Sequence, residues 1–188
     1  MLNVRTSTLL GLILIAAFMR LIPHPWNFTP LAAISLFAGT YFTSRAAAFA
    51  VPLLAMFLSN IGLGLVMPGY PLMPSMLWVY VSFALSVCLG FLVRKRPGYV
   101  TVFTASLAGS VLFFLLSNFG VWLDGTLYPL TTAGLYTCYV AAIPFFRNTL
   151  LGDLFYAGLL FGSFAWAQQQ MPVLRAQTAP VEPLCESV

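Results

Sequence analysis

Two charged residues late in the sequence, Arg147 and Asp153, are the ones whose placement most invites chemistry. Asp153 falls inside an apolar run, where an acid is expensive in a bilayer and by default marks a functional group. It could bind a ligand amine, relay a proton, or pair with Arg147 or Arg20. Arg147, just before it, offers a fixed cation with five donors, which suits a ligand carboxylate, phosphate or amide carbonyl. Its structural alternative is an interfacial position, or an ion pair with Asp153 or Asp124.

Other polar and aromatic candidates gather in three connections. His24, Trp26, Asn27 and Phe28 stand in the proline-rich segment HPWNFTP, and Tyr70 in PGYPLMP. Trp122, Asp124, Tyr128, Tyr136 and Tyr139 lead up to Arg147. Aromatic rings with a few fixed polar groups are what a site for a flat, partly polar small molecule needs. Trp and Tyr also favour the headgroup level, so an aromatic belt accounts for any one of them taken alone. Asn60 and Asn118, in apolar runs, serve either as interhelical hydrogen bonds or as pocket donors. His24, between two prolines, is a loop residue or a ligand for a metal that the bound molecule itself carries.

The elements that must position these groups follow from composition. Hydrophobic residues make up 61% of the 188 and charged residues 6%, with a mean hydropathy of +0.95. A soluble domain carries about 25% charged residues, so this is an integral membrane protein in contact with the lipid bilayer. At about 20 residues per helix the chain holds roughly six spans, an all-α bundle. The pattern predicts an uncleaved first helix over about residues 7–22, a short apolar segment at 31–42, and spans at 46–67, 77–93, 101–123 and 148–166. Residues 131–146, studded with Tyr136, Cys138, Tyr139 and Pro144, read as a loop helix packed on the protein. Residues 1–167 then form the transmembrane domain and 168–188 a disordered tail.

The charges orient this arrangement. With a cytoplasmic N-terminus, Arg5, Arg45, Arg94, Lys95, Arg96 and Arg175 fall inside while Arg20 and Arg147 fall outside, in keeping with the positive-inside rule. A seven-span arrangement has a similar balance. Both termini are cytoplasmic with six spans, and the aromatic connections lie on the outer face.

Several kinds of chemistry are set aside. One His, three scattered Cys and four acids make a poor multi-ligand metal centre, and no C-x-x-C pair occurs. There is no phosphate-binding G-x-x-x-x-G-K-[ST] loop, so any ATP-derived energy must come from a partner. Eight basic residues, single or in one triplet, read as topology signals rather than a nucleic-acid surface. We expect no catalytic residues, no metal and no cofactor. Small-residue spacings at Gly158-x-x-x-Gly162, Ala46-x-x-x-Ala50 and Ala105-x-x-x-Gly109 mark close helix contacts or a docking face.

The strings RLIPHPWNFTPLAAISLFAG, LWVYVSF, NFGVWL and YPLTTAGLYTCYVAAIPFFRNTLLGDLFYAGLLFG resemble an uncharacterised bacterial family of transport proteins, over about residues 20–163. The six-helix layout is similar to the S-components of energy-coupling-factor transporters, and within that group to the solitary cobalamin importers. The resemblance implies a protein of the bacterial cytoplasmic membrane that captures a vitamin-like molecule, cobalamin-related compounds included. It also implies ligand-binding roles for His24, Tyr80 and Arg147, and delivery inward either against an ATPase coupling module as partner or alone. Those importers place a cobalt-ligating Cys near the start of span four, where this sequence has Ser75 and Met76. The A-x-x-x-A patch that contacts a shared coupling module is absent from the first helix, where Ala16 and Ala17 are adjacent.

The expected function is therefore substrate binding for uptake of a vitamin-like or cofactor-precursor molecule. The candidate ligand-binding residues are His24, Trp26, Asn27, Tyr70, Tyr80, Asn118, Trp122, Tyr139, Arg147 and Asp153. Two other classes are weighed against this. A structural or assembly subunit would dock through the glycine stripes without a ligand. An intramembrane enzyme would have to use His24, the only imidazole, and no G-x-S-x-G elbow accompanies it.

Overall fold

The computed structural model describes residues 3–22, 25–66, 75–96 and 98–175. Within them the chain is all-helical: α1 (Val4–Phe18), α2 (Leu31–Tyr41), α3 (Arg45–Val66), α4 (Met76–Lys95), α5 (Tyr99–Leu123) and α6 (Thr132–Gln170). Four of these, α3 to α6, are long and apolar enough to cross a membrane, whereas α1 and α2 are shorter. Together with the composition this makes the protein a helical membrane bundle. His24 and Tyr70 lie outside the described residues.

The short apolar segment expected at 31–42 is a helix of 11 residues. At 1.5 Å per residue it is about 16 Å long, half of a hydrocarbon core of about 30 Å. Every residue from Leu31 to Thr40 is buried, as befits a helix that is apolar on all sides. It is an internal half-helix in contact with all five others, most of all α4. Gly39 and Gly90 allow that approach: a Cβ on Gly39 would overlap the Val87 carbonyl oxygen, and one on Gly90 would overlap that of Leu36. Phe37, fully buried, packs edge-on against Phe161 and Phe164 of α6.

Helices leave their last carbonyls without partners, and α2 ends inside the bundle. Arg94 of α4 supplies the missing donors: Nε donates to Thr40 O at 3.0 Å and Nη2 to Gly39 O at 2.6 Å, with Phe42 O a further acceptor. Arg94 is thus a cap for α2 as well as part of the basic triplet.

Thr131 to Phe146 is not a separate loop helix. It is the first part of a continuous α6 of 39 residues, about 58 Å long. The Thr131 hydroxyl caps its start by accepting from Gly134 N at 3.1 Å. Pro144 removes one helical amide hydrogen without ending the helix. The aromatic and sulfur side chains that suggested a loop instead tie α6 to α5: Tyr139 OH donates to Leu115 O at 2.7 Å and Cys138 Sγ to Asn118 O at 3.4 Å. The expected tail also starts later than residue 167. α6 runs to Gln170, and a 3-10 turn, Pro172–Leu174, seats Leu174 at 0% exposure. Residues 176–188 lie outside the described ones.

Among the small-residue stripes, only Ala105-x-x-x-Gly109 faces the interior. Gly158, Gly162, Ala46 and Ala50 are exposed, and a Cβ on Gly158 or Gly162 would meet nothing within 4 Å. The close crossing is made instead where Gly39 of α2 meets Gly90 of α4.

Candidate functional site

The segment leading into α2 enters the bundle along α6. Asn148 Nδ2 donates to Trp26 O at 3.0 Å, and Phe28 packs on Phe155 and Tyr156. Gly152 leaves room for this descent, since a Cβ there would come within 3.2 Å of Phe28 Cα. Asn27 takes a left-handed conformation, φ 63°, which Asn tolerates better than most residues. Thr29 and Pro30 then hand over to α2. With no side-chain cap at Pro30, the first amides of α2 have no helical acceptors.

Below this segment lies a two-lobed cleft. One lobe, about 170 Å³, is walled by Arg20, Asn27, Thr29, Leu31, Met56, Met76, Phe83, Phe113, Thr149 and Asp153. The other, about 200 Å³, is walled by Asn27, Phe113, Phe114, Ser117, Asn118, Phe145, Phe146 and Thr149. They share Asn27, Val79, Phe113 and Thr149, and so adjoin. Neither alone reaches the ~300 Å³ of a usual small-molecule site.

The charged groups of the first lobe are Arg20 and Asp153. Arg20, 9% exposed, ends the first helical segment, and its Nη1 donates to Ser59 Oγ at 2.5 Å and to Asn60 Oδ1 at 2.6 Å on α3. Asp153, 3% exposed, accepts from Ser110 Oγ of α5 at 2.6 Å. The two line one cavity. Thr149, one turn before Asp153, lies on the same face of α6. The arrangement can hold a molecule with an anionic group toward Arg20, a donor toward Asp153 and a ring among the phenylalanines.

Of the candidates read from sequence, the structure brings together Asn27, Asn118 and Asp153. Asn118 lines the aromatic lobe while its amide donates to Phe114 O within α5, at 2.7 Å. Asn60 makes an interhelical bond, to Arg20. The remaining described candidates do not line the cleft. Trp26 is 80% exposed. Trp122 Nε1 donates to Pro129 O at 3.1 Å and braces the α5–α6 turn. Tyr139 holds α5 to α6, as above. Tyr80 packs against the core beside the cleft-lining Val79. Arg147 is exposed on α6 and lines neither lobe; the helix that carries both residues turns it away from Asp153. We therefore expect Arg147→Ala to leave ligand affinity within about twofold of wild type, as surface substitutions usually do, measured by ligand-induced thermal shift.

Sequence reading passed over Arg20 as a cleft residue, and with it Thr29 and Thr149, as well as Ser110, which holds Asp153. Some signal was present. Thr149 and Asp153, like Ser106 and Ser110, are four apart and share a helix face. Arg20 closes an apolar run and precedes the proline-rich segment, where a topology role accounted for it.

No curated protein and no solved structure matches this chain. One family model matches residues 1–174, and the chain accordingly belongs to that family, DUF6580, a family of unknown function.

Proposed function

We propose that this protein is the substrate-binding membrane component of an uptake system for a small vitamin-like or cofactor-precursor molecule, set in the bacterial cytoplasmic membrane with its termini inside. The observation that carries this reading is the cleft within the bundle, with buried Arg20 and Asp153 on its walls. Buried charges in a bundle are expensive unless they serve a pathway or a ligand. The aromatic lobe supplies the apolar, ring-accepting surface of a small-molecule site. The best-fitting substrate has one or two rings and a carboxylate or phosphate; a corrin is larger than either lobe, which favours a precursor over cobalamin itself. S-component-like capture agrees with the six-helix order and with a cleft covered by the segment before α2. Binding alone does not move a molecule, since transport needs states that differ in affinity.

The test is the melting temperature of the purified protein in mild detergent against water-soluble vitamins and their precursors. A ligand at a hundred times its dissociation constant adds about 2.7 kcal/mol, a rise of about 5 °C or more for a chain of this size. Asn27→Gly keeps the left-handed backbone and removes the amide from both lobes. It should weaken binding about tenfold while the ligand-free protein melts as wild type. Cooperative melting with no shift from any compound would instead favour an assembly subunit.

A further inference from the structure

The end of α2 away from the cleft, where Arg94 seats its last carbonyls, gathers arginines from three helices. Arg94 stands one residue before the end of α4 and binds Gly39, Thr40 and Phe42 O. Arg45 opens α3, three residues after Phe42. Arg5 lies in the first turn of α1. It is near enough that its charge and that of Arg45 act on Arg94, and its charge also acts on Tyr41 in the last turn of α2. We propose that Arg5, Arg45 and Arg94 form a binding site for the phosphate of an anionic phospholipid headgroup.

Three observations point to an anion. Arg5 Nε is buried and has no hydrogen-bond partner, a state that is rare and calls for an explanation. Arg94 commits Nε and Nη2 to the carbonyls of α2, and Nη1 makes none of those bonds. One side of its guanidinium is thus left for an oxygen ligand. The third is charge. Neither acid among the described residues is at this end: Asp124 caps the opposite end of α5, and Asp153 is on the cleft wall. Glu182 and Glu186 lie outside the described residues. Three cations drawn to one spot repel one another. A water would satisfy Arg5 Nε and leave that repulsion, whereas a phosphate removes both.

Depth identifies the source of the phosphate. α3 and α4 have 22 and 20 residues, so each is about as long as a hydrocarbon core of about 30 Å is thick. Arg45 and Arg94 stand at the ends of these two helices that flank the end of α2, and so at the level of the lipid headgroups. Guanidinium forks match phosphate oxygens. A headgroup with its own cation, as in phosphatidylcholine, brings back the charge that the site must neutralise, so the fit is to a lipid of net negative charge. Because Arg94 also holds α2, a lipid bound here steadies the helix whose other end lines the cleft. The site itself does not depend on what the cleft binds.

The experiment is the melting temperature of the full chain in mild detergent, titrated with phosphatidylglycerol or, at equal mole fraction, with phosphatidylcholine. Phosphatidylglycerol should raise it saturably, by at least ~3 °C at high occupancy, and phosphatidylcholine should not. Arg45→Gln removes an exposed cation, so the protein should fold as wild type and need about fivefold more phosphatidylglycerol for half the rise. Arg5→Gln should shift that midpoint as far. Arg147→Gln, which removes an exposed cation from α6, should leave it in place. Equal melting in the two lipids overturns the site. So does a midpoint that neither Arg45→Gln nor Arg5→Gln moves, or that Arg147→Gln moves as far, which assigns the effect to general surface charge. Inorganic phosphate at equal ionic strength is the third arm. If it raises the melting temperature without lipid and abolishes the lipid response, the site takes a free anion and the lipid assignment falls. A response to phosphatidylglycerol seen only after Glu182→Gln and Glu186→Gln are combined in the full chain means that its own carboxylates fill the site, and overturns the proposal as well.

Discussion

Arg20→Gln is expected to weaken ligand binding by roughly 100-fold. Removing one partner of a buried, hydrogen-bonded charge pair costs about 2–5 kcal/mol, and about 2.7 kcal/mol is two decades of affinity. Gln is the chosen replacement because Arg20 Nη1 is also held by Ser59 and Asn60 of α3, and an amide can keep one of those bonds. Arg20→Lys separates charge from shape. It keeps the cation but loses the planar fork that holds a carboxylate or phosphate through two bonds, and should fall between wild type and Gln. Isothermal titration or thermal-shift curves with the best compound of the panel would read the order. If Arg20→Gln binds like wild type, the anionic end of the substrate is not at Arg20, and the orientation proposed for the cleft fails.

Gly39→Ala should destabilise the protein by about 3 kcal/mol, the upper end of overpacking costs. The added Cβ meets backbone, not a side chain: the Val87 carbonyl oxygen directly, and Gly90 Cα at 3.0 Å. Neither helix can give way easily. α2 is buried along its length, and its C-terminal carbonyls are fixed by Arg94. Because the first residues of α2 line the cleft, the shift should also weaken ligand binding in the molecules that do fold. Gly158→Ala is the control, since a Cβ there meets nothing; it should melt within about 0.5 kcal/mol of wild type. A Gly39→Ala protein as stable as wild type would mean that α2 and α4 do not cross at these glycines.

Much of the fold was legible because hydropathy is a local sum. The runs that became α3, α4 and α5 stand out by length and apolarity, and the breaks at Arg96-Pro97-Gly98 and at Asp124-Gly125 are local chemistry as well. α6 was read as two pieces because Tyr136, Tyr139 and Pro144 resemble loop residues in sequence. In the bundle Tyr139 and Cys138 have acceptors on α5, Tyr136 is exposed, and Pro144 sits within an otherwise continuous helix. α2 was visible as a helix short for a span, tilted or simply short, but not as one enclosed by the other five.

The candidate site divides in the same way. Asp153 was singled out from sequence because an acid in an apolar run is costly wherever the helix points. Arg147 and Arg20 could not be ranked so, since each stands at the edge of an apolar run and either could be a topology signal or a ligand. On a soluble helix the polar stripe reveals which side faces out. In a bilayer both sides are apolar and that contrast is lost, so membrane class and the cost of an acid at Asp153 follow from the residues alone. Facing does not. That Arg20 rather than Arg147 shares the cavity with Asp153, and that Ser106 and Ser110 stand beside it, depends on how the helices are rotated against one another. Close contacts such as Gly39 on Gly90 set that rotation, and they join residues 51 positions apart.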